Sequence, residues 1–207
     1  MTPDSTLERL RQAIAGLQLR PSRWPVEGRV PAGVCVPLHE GARGLEVLMI
    51  KRPGTMRHHA REVAFPGGRV EPGDLDLLDT ALRETWEELG LRREDLETLG
   101  PLSPAPTATS TYLLHPFVVL VRQGAEAVPH PGEVDVLIRM PLGDFFAGRI
   151  AYRGVSLGGW ISPIFDFDAG SMYGASAHIL EELLTLYGRA VMLKMPTPAL
   201  TDQIPWQ

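Results

Sequence analysis

Three glutamates, Glu84, Glu87 and Glu88, crowd into the stretch "LRETWEELG" at residues 82–90. At spacings of i, i+3 and i+4 they share one side of any helix that carries them. Like charges four apart cost about 0.2–0.5 kcal/mol per pair, and the macrodipole disfavours anions toward a helix C-terminus. One reading is a solvated acidic face. The other is a site for a hard dication such as Mg2+, which takes carboxylate oxygens and turns repulsion into shared coordination. Upstream, Gly67 and Gly68 have no Cβ and let backbone come close to a ligand, while Pro66 and Pro72 stiffen the turn. Arg83 stands beside Glu84 and four residues before Glu87; it either steadies Glu87 or makes an ordinary surface pair. Lys51, Arg52, Arg57, His58, His59 and Arg61 precede the glycines and either meet a phosphate-rich ligand or balance the acidic helix. The histidines do not have the spacing of an HExxH zinc site.

These side chains need a scaffold. Leu78, Leu82, Thr85 and Leu89 recur on one helical face, with Leu75, Ala81 and Trp86 at its edges, so this stripe is expected to face the core and the glutamates to lie opposite. Gly90 ends that helix, and Asp74 or Asp76 caps its start. Leu7, Leu10, Ile14 and Leu17 suggest an amphipathic opening helix, broken by "RPSRWP". "GVCVPL" and "LEVLMIKR" read as paired strands, "EVAFPGG" as a short strand ending in glycines, and "HPFVVLV" and "EVDVLIRM" as two more. "PLGDFF" reads as a short helix, and residues 150–167 as a hairpin turning near Gly158 and Gly159. "ASAHILEELLTLYG" forms a closing helix with Ile179, Leu180, Leu183 and Leu186 on one side, before a proline-bearing irregular tail. Trp24 and Trp160 are expected in the core. Strands with helices between and after them predict an α/β fold with a sheet covered on both faces.

The chain has 207 residues and a formal net charge of −5, with no lysine or arginine block. It lacks the long-range attraction of a nonspecific nucleic-acid binder, so any phosphate must be held locally. The single cysteine, Cys35, excludes an internal disulfide and a thiolate metal cage, and fits a reducing compartment. The beginning of the chain carries Asp4 and Glu8 instead of a basic start before an apolar run, and no stretch is apolar enough to span a bilayer. A cytoplasmic protein with no nucleic-acid or membrane partner is therefore expected, its oligomeric state open.

The segment from Gly68 to Leu91 resembles the box of the Nudix hydrolases at Gly68, Arg83, Glu84, Glu87, Glu88, Gly90 and Leu91. Asp74 stands where that family usually has glutamate, and the gap from Asp74 to Arg83 is one residue longer than common. A longer gap of that kind is found in the coenzyme A pyrophosphatase branch. "LMIKRPGTMRHHAREVAFPGG" is similar to that branch's second motif at Arg52, Arg57, His59, Phe65, Pro66 and Gly67, with Arg61 where it usually has glycine. "GEVDVLIRMPLGDFF" and "YGASAHILEELL" also look like the branch.

The resemblance implies a Nudix-type α/β/α sandwich with a mixed sheet, formed by a domain at 29–195 between a helical extension at 1–28 and an irregular tail at 196–207. It implies Mg2+ or Mn2+ held by Glu84, Glu87, Glu88 and the Gly67 carbonyl, with Arg83 orienting and Arg52, Arg57, His59 and Gly68 meeting the substrate. The proton acceptor is Glu87 or Glu133, which follows the turn "PHPG". The reaction implied is hydrolysis of coenzyme A to 3′,5′-ADP and 4′-phosphopantetheine. ADP-ribose or another nucleoside diphosphate derivative, and a non-catalytic nucleotide-binding module, are the alternatives.

Overall fold

The computed structural model describes residues 3–22, 25–54, 62–108 and 110–204. Arg57, His58, His59, Arg61, Trp24 and Trp206 lie outside the described residues. The elements run α1 (Pro3–Ala15), β1 (Val30–Gly41), β2 (Gly44–Lys51), β3 (Val63–Ala64), β4 (Gly67–Arg69), α2 (Leu77–Leu89), β5 (Leu96–Pro101), β6 (Ala105–Pro106), β7 (Tyr112–Val121), β8 (Val136–Pro141), α3 (Leu142–Phe146), β9 (Ala151–Leu157), β10 (Trp160–Phe167), β11 (Gly170–Met172), α4 (Gly174–Val191) and β12 (Ala199–Leu200).

The main sheet is mixed. β1 pairs parallel with β7 and antiparallel with β2 and β4, and β8 joins the other side of β2. Alternation along the strands divides the apolar side chains between two faces. Val34, Val36 and Leu38 of β1, Val47 and Met49 of β2, and Val118 and Leu120 of β7 pack toward α1, α3 and α4. Cys35, Leu48, Ile50, Val119 and Val121 point the other way, onto Ala81, Leu82 and Leu89 of α2. Helices on both faces of one sheet make the α/β/α sandwich expected from the sequence. Among the described residues no helix is long and apolar enough to cross a membrane.

A smaller sheet, in the order β11-β10-β9-β12, includes the expected hairpin. Gly158 and Gly159 have φ of 58° and 92°, the paired positive angles of a two-residue I′ turn. Several details depart from expectation. Leu10 and Ile14 of α1 lie fully in the main core, so the opening helix is part of the packing and not an appendage to it. Ala199–Leu200 of the tail pair parallel with β9. Trp160 is half-buried at the hairpin tip instead of in the core. β5 and β6, unanticipated, both pair with β7.

Candidate active site

Helix α2 starts where Asp76 accepts the backbone N–H of Asp79, and ends where Gly90, at φ 67°, donates to the Trp86 carbonyl. The cap leaves Leu75 outside the helix, 87% exposed, and Trp86 sits on the outer flank, so neither borders the core stripe as the sequence suggested. The helix lies close on β1 because residue 33 is glycine. A Cβ there would come within 2.3 Å of the Leu77 carbonyl oxygen and 2.8 Å of the Ala81 nitrogen. Sequence reasoning missed Gly33, although a lone glycine inside the strand pattern "VPAGVCV" is the usual sign of such an approach.

The glutamates are not on an open face. β4, held to β1 through the registers Gly33 with Gly68 and Val34 with Gly67, covers their flank of α2. Glu88 is 1% exposed, its carboxylate accepting from the Gly67 backbone N–H at 3.1 Å and from Arg52 at 3.0 Å. Glu84 packs against Gly68, where a Cβ would lie 2.1 Å from Glu84 Oε1. The expected opposition of core stripe and acidic face is thus corrected: Glu88 borders Ala81 on the helical wheel and the overlying strand buries it. Burial pushes the Glu88 carboxyl up to about 8, with the neighbouring charges of Glu84 and Glu133 adding to the rise against Arg52 and the Gly67 amide. Glu84 is raised too, chiefly by burial and against Arg83.

Arg83 organises the rest. Its guanidinium forks onto Asp74 at 3.0 and 3.2 Å, reaches Glu84 at 3.1 Å and Glu87 at 3.0 Å, and donates to the Arg69 carbonyl at 2.9 Å. Asp74 therefore does not cap the helix. It holds Arg83, with help from the Glu71 N–H and the Thr80 hydroxyl. The Arg83 bond comes first among the causes that lower its carboxyl to about 2, burial opposing. Arg83 is pushed further above its usual range by the same bond.

Glu133 approaches from a loop fastened to the end of α2. The Val128 and His130 N–H groups bond the Leu89 and Glu88 carbonyls at 2.8 and 2.9 Å, satisfying groups that a helix end leaves unpaired, and Glu133 N–H closes a turn onto the His130 carbonyl. Its charge is felt at both Glu84 and Glu88.

Oxygen donors of this kind suit a hard dication, and burial raises the Glu88 carboxyl to about 8 even with Arg52 beside it. The side chains as they stand are committed elsewhere, Glu88 to Arg52 and Gly67, Glu84 and Glu87 to Arg83. Among the described residues no group of three acids, histidines or cysteines is gathered to hold an ion. The donor chemistry fits, while the expected convergence requires these carboxylates to exchange partners.

A mixed sheet between helices, with an acid-rich helix under a glycine pair, defines an α/β/α sandwich with its acids on the helix that faces β4. Residues 29–155 match the NUDIX domain family. The chain belongs to the Nudix hydrolase family. It is 37% identical over 133 residues to an uncharacterized Nudix hydrolase NudL of Pectobacterium atrosepticum, covering 63% of this chain and 67% of that one. It is 38% identical over 122 residues to the peroxisomal coenzyme A diphosphatase ndx-8 of Caenorhabditis elegans, covering 58% of this chain and 52% of that one, so the match spans about half of that relative's length. A solved MutT/nudix family protein from Enterococcus faecalis superposes with a TM-score of 0.48 at 16% identity, over 93% of this chain and 75% of that chain.

Proposed function

We propose that this chain is a divalent-cation-dependent hydrolase that cleaves the pyrophosphate bond of coenzyme A or its derivatives, giving 3′,5′-ADP and 4′-phosphopantetheine or its acyl form. The observation that carries this reading is the packing of Glu84 and Glu88 beneath Gly67 and Gly68, with one arginine, Arg83, fixing Glu84 and Glu87 together. The substrate assignment is supported by the similarity to the nematode coenzyme A diphosphatase. Nudix hydrolases generally use divalent metals.

A pyrophosphate is inert because its oxygens repel nucleophiles, so its charge must be neutralised and water delivered in line. Bound Mg2+ or Mn2+ would supply that neutralisation, and Glu84, Glu87, Glu88 and the Gly67 carbonyl would hold it. Arg83 is a positioning residue that keeps Glu84 and Glu87 aimed alike. Glu133, fastened at the end of α2, or Glu87 takes the proton of the attacking water as its oxygen bonds to phosphorus and the bridging P–O bond breaks. Arg52, alongside Glu88, presents a guanidinium suited to phosphate oxygens, and Gly68 lets the substrate approach backbone. Arg57 and His59 are proposed as further phosphate partners on the resemblance alone.

Product analysis on coenzyme A and ADP-ribose, each with Mg2+ and with Mn2+, tests the reading. It predicts 3′,5′-ADP released in clear excess over turnover of ADP-ribose. Preference for ADP-ribose would overturn the substrate assignment, and no turnover of any diphosphate would leave a nucleotide-binding module.

A further inference from the structure

Tyr173, at the start of α4, takes no part in the chemistry of the acidic helix. It occupies the N-cap position in extended conformation, φ −145°, and its side chain makes no capping bond. Caps favour Ser, Thr, Asp or Asn, so a tyrosine there does little for the helix. Its hydroxyl instead reaches away from α4 and donates to Glu62 Oε1 at 3.1 Å. Burial, followed by the charge of Glu62 and the bond to it, pushes the phenol up to about 12, so it stays a donor at neutral pH.

Glu62 begins a short segment on which both partners of Glu88 depend. The Glu62 carbonyl accepts the Arg52 backbone N–H at 3.0 Å. Beyond it, β3 adds only two register pairs to β2, Lys51 with Val63 and Ile50 with Ala64. The Pro66 carbonyl then accepts the Cys35 N–H at 2.8 Å, and the Gly67 N–H meets the Glu88 carboxylate. Glu88 is thereby reached from both ends of residues 62–67, by Gly67 directly and by Arg52 through Nη1 at 3.0 Å. The Arg52 Nε is buried without a partner among the described residues, so the direction of the guanidinium rests on Nη1 and on the backbone. A two-residue strand supplies little stiffness of its own. The far end of the segment is fastened to β1 and the near end to Tyr173.

We propose that Tyr173 is a positioning residue for the hydrolytic site: by holding Glu62 it fixes residues 62–67, and so sets the Arg52 guanidinium and the Gly67 amide against Glu88. The inference rests on the hydrolase reading, but amide hydrogen exchange tests it without turnover. Tyr173→Phe removes the hydroxyl and keeps the ring. In this variant the Arg52 and Gly67 amides are expected to exchange about fivefold faster, with the amides of β7 unchanged. With coenzyme A and Mg2+, kcat/KM should fall about tenfold. Because the effect passes through Glu62, Tyr173→Phe should add less than about twofold to whatever loss Glu62→Ala causes alone. Unchanged exchange at Arg52 and Gly67, a speed-up shared equally by β7, or full additivity with Glu62→Ala overturns the proposal. If the wild type turns over no diphosphate while the local change in exchange is seen, the hydrolase reading falls and the positioning of the segment stands.

Discussion

Arg83 is the residue on which the geometry of the acids depends. Its planar fork matches the Asp74 carboxylate while the remaining N–H groups reach two glutamates and a carbonyl, a set of bonds that a lysine ammonium cannot reproduce. Arg83→Lys is expected to lower kcat for diphosphate hydrolysis by about 10- to 100-fold with a smaller change in KM, measured by steady-state kinetics. Gly68→Ala should also be costly, since its Cβ would displace the Glu84 carboxylate; the same assay should show a comparable loss while the circular dichroism spectrum stays unchanged. Cys35 presents the opposite case: burial pushes its thiol up to about 12, so the native protein should leave a thiol reagent unreacted at pH 8 and consume one equivalent once unfolded. Much of this scale was legible beforehand. The spacing of Glu84, Glu87 and Glu88 and the proximity of Arg83 follow from the helical repeat alone. The burial of Glu88 did not, because the wheel describes one helix in isolation and the strand that covers Glu88 comes from another part of the chain.

Among the elements, the seating of α2 on β1 decides whether the site exists. Gly33→Ala places a methyl group against the backbone of Leu77 and Ala81, which has no flexible side chain to yield. Such overpacking costs about 1–3 kcal/mol, so thermal melting should show a lower Tm by several degrees, with activity falling as well. The approach to α2 is pinned by Asp74, whose carboxyl in the folded protein sits at about 2 against an ordinary 3.8. A depressed carboxyl stabilises the fold above its unfolded value and loses that contribution as pH falls through the folded one. Denaturant midpoints should therefore decline between about pH 4 and pH 2, and Asp74→Asn should flatten that part of the profile. The sequence announced α2, its glycine end and the β9–β10 hairpin because each carries a local signal of period or turn chemistry. It did not announce that Asp76 caps while Asp74 braces Arg83, since both are equally good capping residues and only the path of the chain separates them. Nor did it announce β12, where two residues without periodicity are made a strand by an available edge.

Over the whole molecule, the sheet joins two surfaces that the sequence left separate. On one side the glutamates of α2 meet the glycines of β4; on the other, α1, α3, α4 and the smaller sheet build the larger core. The alternating strands made the two-sided architecture readable, whereas the register that sets Gly33 against Gly68 arises only from pairing between distant segments. The central claim is that the α2 carboxylates give up their arginine partners to hold a dication. Calorimetric titration with MnCl2 tests it most directly, comparing the wild type with a variant carrying Glu84→Gln, Glu87→Gln and Glu88→Gln. Saturable binding by the wild type and its loss in the variant is the predicted result; no binding by the wild type, or equal binding by both, would contradict it.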